Sequence, residues 1–249
     1  MNKVQGKVAI VTGAGRGLGA HVAHSLGEKG AHVVTFDREI VAKAESSDAI
    51  VIKGDVTSES DVESCIKVTK DKLGTPQILV TCAGIFGPSA IVQYINRSEW
   101  ENVLRVNLTG TFLFVKKVLP LMLEHGWGRI VCFASTAGVA NPPGNAPYNV
   151  SKAGVISLMH TVSQEIDIEN VCINAICPGN TDTPMTQSIE RSASTGKTGD
   201  RVAYHRQLRE KGLYHQPEDI MDLITFLTSE ESQYINGQFI QLTATRMRG

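Results

Sequence analysis

The run YNVSK at 148–152 sets a phenol and an ammonium four residues apart, at Tyr148 and Lys152. On a helix the i, i+4 spacing puts both on one face. A phenol ionises near pH ~10 and is a poor base at neutrality, but an adjacent positive charge favours the phenolate. A tyrosine on an amphipathic helix is, alone, more often a core residue with a satisfied hydroxyl. Its register with two other features changes the weighing. Ser135 ends the apolar run RIVCFA, and open parallel sheets form their active sites at such strand ends. The glycine-rich run Gly13-Ala14-Gly15-Arg16-Gly17-Leu18-Gly19 follows the β-rich stretch KVAIVT.

That run needs glycine for two reasons. A tight turn demands backbone angles other residues avoid. The backbone must also approach a pyrophosphate, which sits on the N–H groups and positive dipole of the helix that follows. A strand before and a helix after strengthen an otherwise weak motif. Asp37 ends the next apolar run, 18 residues after Gly19. A carboxylate there accepts hydrogen bonds from an adenosine ribose and repels a 2′-phosphate, which favours NAD over NADP. Arg38 pulls the other way, since it could pair with that phosphate. Asp55 could reach the adenine edge, with Val56 packing on the ring.

The elements that must position these groups alternate. Strands are expected at Lys7–Thr12, Ala31–Phe36, Ala49–Ile52, Gln77–Thr81, Arg129–Ala134, Val171–Cys177 and Gln238–Leu242. Helices are expected at Leu18–Gly30, Ser60–Leu73, Trp100–His125, Ala146–Glu165 and Pro217–Thr228, with Pro120 placed to kink or end the third. Strands alternating with helices imply crossover units and a mainly parallel sheet covered on both faces. The fold class is therefore α/β, a doubly wound Rossmann-type fold with a seven-stranded sheet, in one domain spanning 1–249.

Composition excludes several classes. The chain has 249 residues, 24 basic and 25 acidic, and 42% hydrophobic residues, which rules out disorder and gives no basic footprint for nucleic acid. No unbroken apolar run nears the roughly 18 residues that span a bilayer. The apolar stretch at the N-terminus is too short for a signal peptide, so a cytoplasmic location and no membrane partner are expected. The five cysteines (Cys65, Cys82, Cys132, Cys172, Cys177) show no CxxC pair and read as buried reduced thiols. The seven histidines show no HxxxH or HExxH pattern, so no metal is expected.

Together the motifs resemble the classical short-chain dehydrogenase/reductase family over residues 5 to about 240. They are TGAGRGLG (12–19), Asp37, Asp55-Val56, CAG (82–84), Asn107 in VNLTG, Ser135, YNVSK, PGNTDTPM (178–185) and QPEDI (216–220). The resemblance implies that Tyr148 takes a proton from a substrate hydroxyl as hydride leaves its carbon for NAD⁺. Lys152 would lower the phenol's pKa and hold the nicotinamide ribose. Ser135 would hydrogen-bond the reacting oxygen, and Asn107 would link Lys152 through water to solvent. Gly13, Arg16, Gly17, Leu18, Gly19, Ala83 and Gly84 would bind the dinucleotide. So would Pro178, Gly179, Thr181 and Thr183, with Thr183 the better match for the carboxamide. Ala137, Val139, Asn141, Tyr148 and Met185 would line the substrate. The resemblance also implies a homotetramer built on the two longest helices.

Cys82 stands where the family has asparagine, which puts the local strand geometry in doubt. The C-terminal QLTATRMRG lacks the family's aspartate and paired glycines. Thr186–Gly212 interrupts the rhythm as a polar, substrate-covering lid. It carries six basic residues (Arg191, Lys197, Arg201, Arg206, Arg209, Lys211) against three acidic ones (Glu190, Asp200, Glu210), a balance that could attract an anionic substrate. Loss of Arg191 or Arg201 should then raise KM severalfold. The expected activity is NAD-dependent oxidation of a small secondary alcohol or reduction of its ketone. The rivals are an NADP-dependent 3-oxoacyl-carrier reductase using Arg16 and Arg38, and a non-catalytic nucleotide sensor.

Overall fold

The computed structural model describes residues 4–39, 49–191 and 201–243. Its seven strands are β1 (Val8–Thr12), β2 (His32–Asp37), β3 (Ile50–Lys53), β4 (Ile78–Thr81), β5 (Gly128–Phe133), β6 (Val171–Pro178) and β7 (Phe239–Leu242). They form one sheet in the order β3-β2-β1-β4-β5-β6-β7, every pair parallel. The order reverses between β1 and β4, and a doubly wound sheet opens its binding crevice at that switch point.

Strand side chains alternate between two cores, as the two-residue period requires. Ile10, Val34, Phe36, Leu79 and Ile130 face one side. There they meet α2 (Glu59–Leu73), α4 (Gly110–His125) and α6 (Ala146–Glu165). Ala9, Val11, Val33, Val80 and Val131 face the other, against α1 (Gly17–Glu28) and α9 (Glu218–Leu227). Phe36 and Phe114 meet edge to face at 5.1 Å and tie β2 to α4.

Element ends differ from the sequence expectation by a few residues, and local chemistry explains several. Ser58 caps α2, its hydroxyl accepting from the Asp61 N–H at 3.2 Å, so the helix starts at Glu59. The long third helix begins at Arg97, because Asn96 donates its N–H to Glu99 at 3.1 Å in a capping box. It is built from α3 (Arg97–Leu104), a π-helical turn at Arg105–Thr109, and α4. Pro120 lies inside α4 and does not end it; the helix stops at the left-handed Gly126.

The run Arg97–His125, 29 residues, is long and apolar enough to cross a membrane by length and composition. Arg105, Asn107, Lys116 and Lys117 break its apolar run in the sequence. Its apolarity is explained by packing, since half of its most apolar stretch is buried and Phe114, Val115, Val118 and Met122 lie in the core.

Three short helices lie outside the expected set. They are α5 (Ala137–Ala140), α7 (Pro184–Arg191) and α8 (Arg201–Glu210). Thr186–Gly212, expected as a polar loop, is therefore largely helical where described; residues 192–200, with Lys197 and Asp200, lie outside the described residues. The last residues of QLTATRMRG lie outside them too.

Candidate active site

The C-terminal ends of β1, β4, β5 and β6 bring the chemistry-bearing residues together. Gly13 leaves β1 with φ +66°, and a Cβ there would stand 2.6 Å from the Ala83 backbone. A Cβ on Gly19 would stand 2.1 Å from the Gly13 carbonyl oxygen. Only glycine lets β1, α1 and the turn after β4 close this tightly. Arg16, the non-helical residue before α1, gives no side-chain cap, and the first turn carries no acid. The helix start thus remains open to an anion. Leu18 packs into the core beneath it.

Asp37 turns its carboxylate to this loop, accepting from the Gly15 N–H at 2.9 Å and the Glu39 N–H at 3.0 Å. The arginines beside it are matched by acids. Arg16 stands 3.6 Å from Glu39, and Arg38 stands 4.0 Å from Asp55. Partial burial alone would raise the Asp55 pKa. Hydrogen bonds from Thr57 and the charges of Arg38 and Arg105 outweigh it and hold the carboxyl below its ordinary range. Val56 is buried against Gly110 of α4.

Cys82 does not disturb the strand geometry. Its N–H donates to the Thr12 carbonyl at 3.2 Å, and the Ala83 N–H donates to the Thr12 hydroxyl at 3.3 Å. All five cysteines are free thiols, and burial pushes them up, Cys132 to about 12 and Cys177 to about 11.

Asn107 is fully buried in the π-helical turn. Its side-chain oxygen accepts from the Ile85 N–H at 2.8 Å, and its amide donates to the Ile85 carbonyl and the Ser151 hydroxyl, both at 3.0 Å. It thus pins the loop after β4 to α6. Pro147 in the first turn of α6 starts the helix that carries Tyr148 and Lys152.

Lys152 is buried, and its ammonium donates to the Phe133 carbonyl of β5 at 2.6 Å. It lies 5.7 Å from the centre of the Tyr148 ring. A Cβ on Gly84 would come within 3.6 Å of its nitrogen. Burial pushes Lys152 down from 10.5 to about 8.

The sign of the linked stability follows. The folded state disfavours the ammonium, so this residue's contribution rises as pH climbs from about 8 to 10.5 and is flat below. Wild type should gain on the order of 3 kcal/mol relative to Lys152→Met across that window. Paired denaturant titrations at pH 7.5 and 10.5 check it; a constant difference would contradict the buried ammonium.

Ser135 is buried at the end of β5, with its oxygen accepting from the Ala137 N–H at 3.1 Å. Beside it, Thr136 donates its N–H to the Pro178 carbonyl at 3.1 Å, joining this turn to the one after β6. There the Gly179 N–H donates to the Leu242 carbonyl at 2.8 Å. Thr181 and Thr183 are both buried, and Thr186 bonds to each. The Tyr148 ring packs on Phe86, centroids 5.1 Å apart.

The outer wall is less focused. Val139 lies exposed in α5, and Asn141 closes that helix with φ 50°, its amide bonded to the Val139 carbonyl at 3.1 Å. Met185 lies in the first turn of α7, half-buried. Arg209 is bonded to Asp182 and Glu190, so its charge is not free for an anionic substrate. The side chains of Arg191 and Arg201 lie outside the described residues.

Four contributors escape the sequence reading. Gly15 and Ser151 sit inside the quoted motifs, and i, i+3 spacing from Tyr148 could have marked Ser151. Glu39 and Phe86 carry no motif signal.

The family model for short chain dehydrogenases matches residues 7–194. The chain belongs to the short chain dehydrogenase family. It is an oxidoreductase of that family, whose members act on small molecules. It is 34% identical over 248 residues to the 3-oxoacyl-(acyl-carrier-protein) reductase of Synechocystis sp., covering 96% of both chains. It is 31% identical over 249 residues to the reductase of the same name from Thermotoga maritima, again covering 96% of both chains. Among solved structures it matches levodione reductase with TM-score 0.86 and 27% identity, over 96% of this short chain dehydrogenase and 97% of that chain. It matches an actinorhodin polyketide ketoreductase variant with NADPH at TM-score 0.84 and 30% identity, over 96% of each.

Proposed function

We propose that this dehydrogenase transfers hydride between NAD(H) and a small secondary alcohol or its ketone. The observation that carries the reading is Lys152, anchored to β5 between the Tyr148 ring and Gly84, with Ser135 at the end of the same strand and an uncapped, glycine-lined helix start. The residues fit a dinucleotide, because Gly13 and Gly19 let the turn after β1 pack tightly on α1 and on the turn after β4, which sets the uncapped N–H groups of α1 at the strand ends. Gly13, Gly17, Leu18 and Gly19 would hold the pyrophosphate, and Asp37 the adenosine ribose. Asp55, Val56, Ala83 and Gly84 would flank the adenosine. Pro178, Gly179, Thr181 and Thr183 would hold the nicotinamide end. When bound, the nicotinamide supplies a hydride acceptor or donor.

The side chains then handle the proton. The Tyr148 oxygen takes it from a substrate hydroxyl and returns it in reduction. The Lys152 ammonium favours the phenolate that does so. Ser135 already accepts from Ala137, which orients its oxygen and leaves its own proton for the substrate oxygen. Asn107 keeps the loop after β4 in place, and water linkage from Lys152 toward solvent would pass near it.

NAD preference rests on Asp37, with Glu39 drawing Arg16 aside. Side-by-side fluorescence titration should give tighter NADH than NADPH. Asp37→Ala should move the ratio toward NADPH by about tenfold, equivalent to ~1.4 kcal/mol. The names of the relatives favour a second reading, an NADPH-dependent 3-oxoacyl-carrier reductase. In that case Arg16 and Arg38 leave their acids for the 2′-phosphate, wild type binds NADPH more tightly, and Asp37→Ala changes little. Exposed Phe112 on α4 and Val150 on α6 support a homotetramer built on those helices, which light scattering tests.

A further inference from the structure

Beyond β6 lies a charged cluster that the proposed chemistry does not use. Arg209 of α8 donates from both terminal nitrogens to the two Asp182 oxygens, each at 2.9 Å. Its Nε donates to Glu190 of α7 at 2.9 and 3.1 Å. The Tyr214 hydroxyl donates to the same Glu190 at 2.9 Å, and its oxygen lies 2.8 Å from the His205 ring nitrogen. The guanidinium also stacks on the Tyr214 ring at 4.6 Å. One fork therefore fastens both lid helices to the segment after β6. Side-chain exposures of 38% for Arg209, 24% for Asp182 and 14% for Glu190 place it where solvent screens only in part. Arg209 holds Asp182 down to about 2, so the carboxylate stays charged across the working pH range.

Asp182 stands between Thr181 and Thr183. Its N–H donates to the His215 carbonyl at 2.9 Å, while the His215 N–H returns to Asn180 at 2.8 Å. The Thr186 hydroxyl donates to the Thr181 carbonyl at 2.7 Å. Thr183 and Pro184 in turn lie over Gly17 at the start of α1, 3.9 and 3.6 Å from where its Cβ would be. The chain of contacts runs without a gap from the lid to the phosphate cradle.

We propose that Arg209 is a positioning residue that couples the seating of helices α7 and α8 to dinucleotide binding, through Asp182 and the Thr181–Thr183 turn. This rests on the dinucleotide reading above. A lysine could not replace it, because one ammonium cannot form the planar fork to one carboxylate while bonding the other.

The test is hydrogen exchange with and without saturating NADH, and in parallel NADPH, on wild type, Arg209→Met, Arg209→Lys and Asp182→Asn. In wild type the dinucleotide should slow exchange both in the Gly13–Gly19 cradle and in α8. In all three variants the cradle should stay protected, the protection of α8 should be lost, and Kd should rise about tenfold, a typical inter-site coupling. Asp182→Asn keeps the side-chain volume and carries the test if Arg209→Met fails to fold. Variants that keep α8 protection and a Kd within about twofold of wild type would overturn the coupling while leaving the dinucleotide reading intact. No cradle protection in wild type with either dinucleotide would overturn the dinucleotide reading, and the coupling with it.

Discussion

Tyr148→Phe should cut turnover about a thousandfold while NADH binding stays close to wild type. The substitution removes one oxygen and keeps the ring that packs on Phe86 at 5.1 Å, so the local packing survives. Lys152 keeps its bond to the Phe133 carbonyl, since that bond does not pass through the phenol. The cradle at Gly13 and Gly19 is formed by backbone and is untouched. What disappears is the group proposed to give or take the proton. Steady-state turnover beside a binding titration separates the cases. Unchanged turnover would remove Tyr148 from the acid–base role. Wild type that binds dinucleotide but turns over no alcohol or ketone would favour the sensor reading.

Gly19→Ala should weaken dinucleotide binding about a hundredfold, through a backbone shift of order 1 Å. The added carbon would lie 2.1 Å from the Gly13 carbonyl oxygen and 2.7 Å from its carbon. Neither is the far end of a flexible side chain, so α1 must move away from β1. The N–H groups that begin α1 move with it, and they are the groups proposed to meet the pyrophosphate. The same shift should lower Tm by several degrees, about 1 kcal/mol or more in a chain of this size. A titration giving a wild-type Kd would mean that the anion lies elsewhere. Gly74→Ala is the control for binding: with nothing within 4 Å of the added carbon but a φ of +95° at the end of α2, it should cost stability and leave Kd at the wild-type value.

The sheet and its flanking helices were legible because their signals are local and periodic. Continuous apolar strands imply burial on both faces, and β1, β4 and β6 are buried at every position. Ala146–Glu165 is found at its expected bounds, since Pro147 and the helical spacing that follows mark it from within. The helices within Thr186–Gly212 were not legible because α7 and α8 are short, polar and held by partners distant in sequence; Asp182 and Arg209 are 27 residues apart. Phe86 was missed for a related reason: its place on Tyr148 depends on a contact between β4's loop and α6, which no spacing rule reports. Glu39 was missed because an acid two residues past a strand carries no motif, although it faces Arg16. The charge excess of this segment was visible in the sequence, but the pairing of Arg209 depends on the fold.

The π-helical turn at Arg105–Thr109 gives the longest described helix two phases. Its Gly110 N–H reaches back five residues to the Arg105 carbonyl, one more than an α-helix allows. The upstream part, α3, packs on α6, while the downstream part, α4, packs on β4 and β5. Each part answers to a different neighbour, and the extra residue absorbs the mismatch. Deleting a single residue there would restore a regular helix but rotate everything on one side of it by about 100° relative to the other. Asn107 would then lose Ile85 or Ser151, whichever side stayed in place. The turn is thus a frame shift in three dimensions, and the length of this helix is as strict a requirement for the site as the identity of Asn107 within it.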